Sequence, residues 1–102
     1  MIHVLAFLTA KPGQRDAVLR EFHQIVPTVR AEKGCIEYGP ATDTPNAGAI
    51  QTPLGPDTFA VIEKWESLET LAAHAAAPHM SAWGARVKDL VASRAVHVLS
   101  AA

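Results

Sequence analysis

The clearest β-strand in the sequence is TFAVIEKW, residues 58–65, because β-branched and aromatic residues are frequent in it. Successive side chains of a strand point to opposite faces, so Glu63 and Trp65 share a face. Phe59 and Val61 lie on that face too, and the other face carries Ala60, Ile62 and Lys64. A carboxyl group beside a tryptophan on an otherwise apolar face is unusual, so this strand is informative about both the fold and a site.

The residues before this strand predict a strand, a helix, a second strand and a loop. Residues 2–9 have the length and composition of a strand. Residues 14–32 form a helix with one apolar face, made by Val18, Phe22, Ile25 and Val29. Pro27 removes a backbone donor, and we expect it to kink or loosen that helix.

Residues 35–43 form the second strand, with Ile36 and Tyr38 on one face and Cys35 and Glu37 on the other. Residues 44–57 hold three prolines and two glycines and form a loop that is long for a hairpin.

The residues after the clearest strand predict two helices and a last strand. Ser67 is a suitable N-cap for a short helix that ends near His74. Pro78 interrupts that helix and suits the first turn of the next. We expect the second helix to run to about Ser93, with an apolar stripe made by Met80, Trp83, Val87, Leu90 and Val91. Residues 95–100 form the final strand.

The resulting order, β-α-β-β-α-α-β, is typical of the α+β ferredoxin-like fold. Its right-handed crossovers place all the helices on one side of a four-stranded antiparallel sheet. With 102 residues and no internal linker, the chain is predicted to be one domain, residues 1–102.

Both faces of the predicted sheet are apolar, which indicates a second subunit. Strand one has Val4, Ala6 and Leu8 on one face, and Leu5 and Phe7 on the other. Helices cover only one face, and the other would expose an apolar patch on the order of several hundred Å². A homodimer that packs sheet to sheet about a twofold axis would cover it. The alternative is that the small alanines make the open face only mildly apolar.

Composition excludes several partner classes. The net charge is −1 and no basic cluster occurs, so we expect no nucleic-acid partner. No apolar run is long enough to span a membrane, and the N-terminus lacks the basic region of a signal peptide. The single cysteine, Cys35, excludes an internal disulfide and fits a cytoplasmic location. It has no neighbouring base in the sequence, and we expect it to be inert.

The residues that could carry chemistry lie in and just after the clearest strand. His74 and His79 are candidate proton acceptors near neutral pH, and Glu63 and Trp65 complete the predicted catalytic set. A strand end, a helix end and a helix start commonly meet at a cleft. Alternatively, one histidine caps a helix and the other is solvated, while Glu63 supports the fold through a buried bond, for example to Arg86. As a metal site the two histidines are weak, since no third ligand is evident.

A flat aromatic ligand would suit the apolar side chains expected around this cleft. The predicted binding residues are Tyr38, Phe59, Met80, Trp83 and Val87. For most of them a purely structural role in the core is the alternative. The chain has no phosphate-binding glycine motif, so we expect neither a flavin nor a nicotinamide cofactor.

The chain resembles the antibiotic biosynthesis monooxygenase domain over residues 1 to about 100, most closely its quinol-monooxygenase-like branch. The resemblance rests on the start at residues 1–4, Lys11-Pro12-Gly13, residues 27–35, Glu37-Tyr38, Glu63-Lys64-Trp65, His74 and Pro78-His79. The resemblance implies a dimeric α+β barrel. It also implies oxygenation of phenols, anthrones or quinols without flavin or metal. The residues to which it assigns functional roles are Trp65, His74 and His79, with Glu63 and Tyr38. The long loop at residues 44–57 departs from the short hairpin of the family, and it could contact the second subunit or cover the pocket mouth. Haem-degrading relatives use an Asn on strand one, and residues 2–9 contain none.

The predicted function is therefore a cofactor-independent monooxygenase. Its partners are an aromatic small molecule and molecular oxygen, and either His79 or His74 is the base. Two alternatives stay open from the residues alone. One is a non-oxidative isomerase or lactone-handling enzyme of the same barrel type, and the other is a protein that binds a small hydrophobic molecule, for example in a stress response.

Overall fold

The computed structural model describes residues 1–102 and has the predicted order of elements. These are β1 (Ile2–Ala10), α1 (Arg15–Arg30), β2 (Cys35–Ala41), β3 (Thr58–Trp65), α2 (Leu68–Ala75), α3 (Pro78–Val87) and β4 (Val91–Leu99). The four strands form one antiparallel sheet in the order β2-β3-β1-β4. The ferredoxin-like prediction is confirmed. No helix has the length and apolar character needed to cross a membrane.

The register of the sheet places Glu63 at its centre. On β3, Glu63 pairs with Val4 of β1 on one side and with Tyr38 of β2 on the other. Cross-strand partners share a face, so these three side chains point toward the helices. All three are buried.

The core lies between the sheet and α1 and α3. Phe22 is 1% exposed and lies at its centre, with its ring 5.4 Å from the ring of Tyr38 and 5.7 Å from those of Phe59 and Trp83. The predicted apolar face of α1 is buried as expected, and Val26 joins it. The helix is not interrupted at Pro27. That residue lies in the last turn, so its missing N–H and its ring disturb only the end of the helix.

Two details of the predicted elements are wrong. Ile36 and Tyr38 do not share a face, because Tyr38 is buried whereas Ile36 is 52% exposed. The β2–β3 register shifts between Cys35 and Glu37, and the extra residue of such a bulge reverses the alternation. The second error concerns the end of the chain: α3 ends at Val87 instead of about Ser93, and the last strand is Val91–Leu99 instead of 95–100. The chain turns at Lys88–Leu90 and enters β4 at Val91, which pairs with Ala10.

The long loop is present where the sequence predicts it. Residues 42–57 contain no helix or strand. Asp43 holds the loop together: its carboxylate accepts hydrogen bonds from the backbone N–H of Leu54 at 2.9 Å and of Gly55 at 3.0 Å, and from the Gln51 side chain at 3.1 Å. The two backbone donors keep the pKa of Asp43 below its ordinary value.

β4 is the least covered part of the sheet. It lies at an edge, and every residue after Val91 is exposed. Val96 and Val98 remain about half exposed on the helix-facing side, while Leu99 and Ile62 are exposed on the other side. The helices of one chain therefore leave both faces of this edge open.

Candidate active site

A cavity of about 280 Å³ lies between the sheet and the helices. This volume is near the lower end of the range for small-molecule pockets, which begins at roughly 300 Å³. Its walls are mainly apolar and aromatic, and the polar groups that reach it are Tyr38, Glu63, His74, Ser81 and Arg94. Arg94 and Val96 of the exposed edge strand β4 also line it. Such a cavity suits a small aromatic molecule that carries a few polar groups.

Three elements bring two histidines to one carboxylate. Glu32 follows the end of α1, His74 lies in the last turn of α2, and His79 lies in the first turn of α3. Glu32 Oε2 is 2.9 Å from His74 Nδ1 and 2.9 Å from His79 Nε2. Local capping fixes this arrangement: the Ser67 side chain accepts from the Thr70 backbone at 3.2 Å, and Pro78 begins α3. The three residues are named here the His–Glu–His cluster.

His74 is held on three sides. Its ring lies 4.7 Å from the Trp65 ring and 5.3 Å from the Tyr38 ring, and the residue is 5% exposed. A carboxylate only accepts hydrogen bonds, so a neutral His74 must carry its proton on Nδ1, facing Glu32. This leaves the lone pair on Nε2, and His74 is the histidine that lines the cavity. This is the tautomer that a general base acting through Nε2 requires.

His79 occupies a different position. It shares Glu32 with His74, but it does not line the cavity, and its side chain is 27% exposed. The two histidines that the sequence treats as equivalent are thus distinct in the structure: His74 contacts the cavity, and His79 contacts the carboxylate behind it. Glu32 was missed by the sequence analysis, and it supplies the third possible metal ligand that was not evident there.

Glu63 is buried and hydrogen-bonded to its neighbour on the strand. It is 7% exposed, and its Oε1 accepts from Trp65 Nε1 at 2.9 Å. Burial raises the pKa of Glu63, and the bond from Trp65 and the attraction of His74 oppose that rise. The suggested pairing with Arg86 is wrong, because Arg86 Nε donates to Glu21 at 3.0 Å instead.

The remaining candidates divide between the cavity wall and the layer behind it. Tyr38, Met80 and Trp83 line the cavity. Burial raises the pKa of the Tyr38 phenol, so it is available there as a neutral donor. Trp65 and Phe59 are fully buried and do not line the cavity, and Val87 lines a smaller neighbouring hollow.

No residue of the loop at 42–57 lines the cavity of a single chain. The thiol of Cys35 also lies outside it, and burial raises its pKa.

The raised pKa of Glu63 predicts a pH-dependent effect of removing its charge. The folded chain retains the Glu63 proton to higher pH than the unfolded chain, so this group's contribution to stability falls as the pH rises above 4.5. In Glu63→Gln, the amide oxygen still accepts from Trp65 but carries no charge. We expect a higher Tm than the wild type at pH 7, and a difference that shrinks as the pH approaches 4.5. Thermal unfolding between pH 4.5 and 7 measures this difference in Tm, and Glu66→Gln, at an exposed position, is the control. An equal or lower Tm for Glu63→Gln than for the wild type at pH 7 would contradict the prediction.

The fold and the site define the class of protein. The chain belongs to the antibiotic biosynthesis monooxygenase family, whose sequence profile matches residues 1–86. The resemblance seen in the sequence is therefore confirmed. The chain is 42% identical over 101 residues to "Probable quinol monooxygenase YgiN" of Escherichia coli. This match covers 97% of the present chain and 96% of the Escherichia coli protein.

Solved structures show the same fold. PA3566 from Pseudomonas aeruginosa has a TM-score of 0.82 and 25% identity, and the match covers 99% of this chain and 93% of that one. Rv0793 from Mycobacterium tuberculosis has a TM-score of 0.80 and 24% identity, and the match covers 99% and 94% of the two chains.

Proposed function

We propose that the protein is a monooxygenase that oxidises a small aromatic quinol, or a related phenol such as an anthrone, with molecular oxygen and no cofactor. One observation carries the proposal: His74 lines an aromatic cavity while its other ring nitrogen is 2.9 Å from the Glu32 carboxylate. Family membership and the name of the Escherichia coli relative support the substrate class. A base in an apolar cavity is what this chemistry needs, since ionisation makes a quinol electron-rich.

The first step is removal of a proton from the quinol. His74 Nε2 takes the phenolic proton, and the ring becomes an imidazolium that donates to Glu32 through Nδ1. A carboxylate positioned in this way holds the productive tautomer and stabilises the positive charge. Glu32 acts through His74 and is a positioning residue. Tyr38 and Glu63 also line the cavity, and in this proposal they contact a substrate hydroxyl.

The second step is electron transfer from the quinolate to oxygen. The substrate supplies the electrons, so the reaction requires no flavin. Overall, a quinol and one O₂ give a hydroxyquinone and one water: one oxygen atom enters a ring carbon, and the other is reduced to water with the two hydrogens lost by the substrate. The apolar walls exclude bulk water and hold the ring in place.

The proposed assembly is a homodimer that packs through the sheet, in a cytoplasmic location. The open face supports the dimer, because Leu99 and Ile62 are 44% and 37% exposed there, and Val96 and Val98 on the helix-facing side of β4 are about half exposed too. Apolar residues concentrated on one edge in this way are usually buried against a partner. A second subunit at β4 would also cover Val96 and Arg94, which are exposed residues of the cavity lining. The unpaired Cys35 supports the location.

Oxygen consumption by the purified, EDTA-treated protein tests the proposed activity. The substrates are a panel of benzoquinols, naphthoquinols and anthrones, each compared with its uncatalysed rate. We expect uptake above that rate with at least one panel member. Uptake no faster than autoxidation across the panel would reject the oxygenase and favour the isomerase or the binding protein.

A further inference from the structure

The His–Glu–His cluster is the one place in the chain where three metal-ligating side chains converge. One nitrogen of His74, one nitrogen of His79 and one oxygen of Glu32 all lie within 4.8 Å of one another. The other three histidines belong to no such group. The Glu32 side chain is 16% exposed and that of His79 is 27% exposed, so the cluster is shielded but can be reached from solvent.

The chemistry of the cluster matches the donor set of a zinc-type ion. Two imidazoles and one carboxylate are a common three-ligand set for Zn²⁺, with the fourth position left to water. Neighbouring ligands of a tetrahedral zinc ion are about 3.4 Å apart, since each bond is about 2.1 Å long. The two nitrogen–oxygen separations of 2.9 Å are shorter than this, and the two nitrogens lie within 4.8 Å of each other, so metal binding requires the carboxylate to move back and the two imidazoles to turn toward a common centre.

We propose that Glu32, His74 and His79 form a binding site for a divalent transition metal such as Zn²⁺, and that the bound metal switches the enzyme off. The inhibitory effect rests on the proposed role of His74 as the base, whereas the metal site does not depend on it.

The inhibition follows from the tautomer of His74. Without metal, the proton of the neutral ring lies on Nδ1 against Glu32, and Nε2 keeps its lone pair on a side chain that lines the cavity. A metal on Nδ1 uses that nitrogen's lone pair, so the single proton of the neutral ring moves to Nε2. Nε2 then becomes a donor and cannot accept a proton from the substrate. The ion thus removes the base without entering the cavity.

Calorimetric titration of Zn²⁺ into the metal-stripped full-length protein, in a buffer without phosphate, tests the site. We expect one ion per chain, and an affinity reduced about tenfold or more in His79→Gln and in Glu32→Gln, each of which removes one ligand. His23→Gln, an exposed histidine of α1, is the matched control and should bind as the wild type does. Co²⁺ provides a second readout, because a tetrahedral complex absorbs strongly in the visible region. Absence of saturable binding, or equal affinity in all variants, would overturn the site.

Oxygen uptake with and without saturating Zn²⁺ tests the inhibition. In the wild type and in His23→Gln we expect the metal to lower the rate of oxygen uptake on the order of 10²-fold, which is the effect of losing a general base. EDTA should restore that rate. His79→Gln should need higher Zn²⁺ for the same fractional loss. Full activity at a Zn²⁺ concentration that saturates the calorimetric site would overturn the inhibition. If the metal-free protein consumes no oxygen, the proposed activity fails, and the calorimetry still decides the site.

Discussion

Replacing His74 with glutamine is expected to lower kcat for quinol oxidation on the order of 10²–10⁴-fold, the contribution of a positioned general base. Glutamine retains a polar side chain that can donate to Glu32, but it cannot accept a proton at neutral pH. The cavity wall and the packing against Trp65 are largely kept, so KM should change less than kcat. Steady-state oxygen uptake measures both parameters.

Two further variants separate the role of His74 from general damage. His23→Gln makes the same substitution on the exposed surface of α1 and should retain wild-type turnover. Glu32→Gln leaves the base in place but removes the carboxylate that fixes its tautomer, so a loss of turnover smaller than that of His74→Gln is expected. Its loss should again be in kcat. Wild-type kcat in His74→Gln, with a folded protein by circular dichroism, would remove His74 from the mechanism.

Gly34→Ala is expected to destabilise the fold by about 2–5 kcal/mol, the sum of a backbone cost and a steric overlap. Gly34 has a φ of +83°, a conformation that costs an L-residue roughly 1–2 kcal/mol. A Cβ atom added there would lie 2.4 Å from Thr70 Cγ2 and 2.6 Å from Thr70 Cβ. Thr70 cannot move away freely, because its backbone N–H and its hydroxyl both bond to Ser67 at the start of α2. Relieving the overlap therefore displaces α2, which carries His74.

Gly13→Ala is the matched control for this prediction. Gly13 also has a positive φ, +78°, but nothing lies within 4 Å of an added Cβ. It should show the backbone cost alone, while Gly34→Ala adds about 1–3 kcal/mol from the overlap with Thr70. Urea unfolding of both variants measures the difference. Equal losses of stability would show that contact with Thr70 contributes nothing.

The sequence predicts the elements whose patterns are local. The strand at 58–65 has the predicted bounds and faces, and the apolar spacing of α1 identifies the residues that it buries. The end of α3 could not be predicted in this way. Val87, Leu90 and Val91 fit a helical stripe, and only the pairing of Val91 with Ala10 makes them the end of a helix, a turn and a strand. The bulge beside Cys35 also depends on pairing with a distant strand.

The same distinction applies to the candidate site. His74, Glu63 and the aromatic wall lie near one another along the chain or on adjacent strands, and their positions follow from the fold. Glu32 is 42 residues from His74, and no spacing pattern links them. The contact arises because the turn at Gly34 directs the chain from the end of α1 into β2. The difference between the two histidines has the same origin, since the sequence does not show which ring faces the cavity.

Isotopic labelling of the product that the metal-stripped protein forms from a quinol under ¹⁸O₂ tests the proposed oxygenation most directly. We expect a hydroxyquinone that carries one ¹⁸O atom, with the second ¹⁸O atom in water, and we expect its formation to depend on His74. A product whose new oxygen comes from solvent water, or a quinone with no added oxygen, would contradict it.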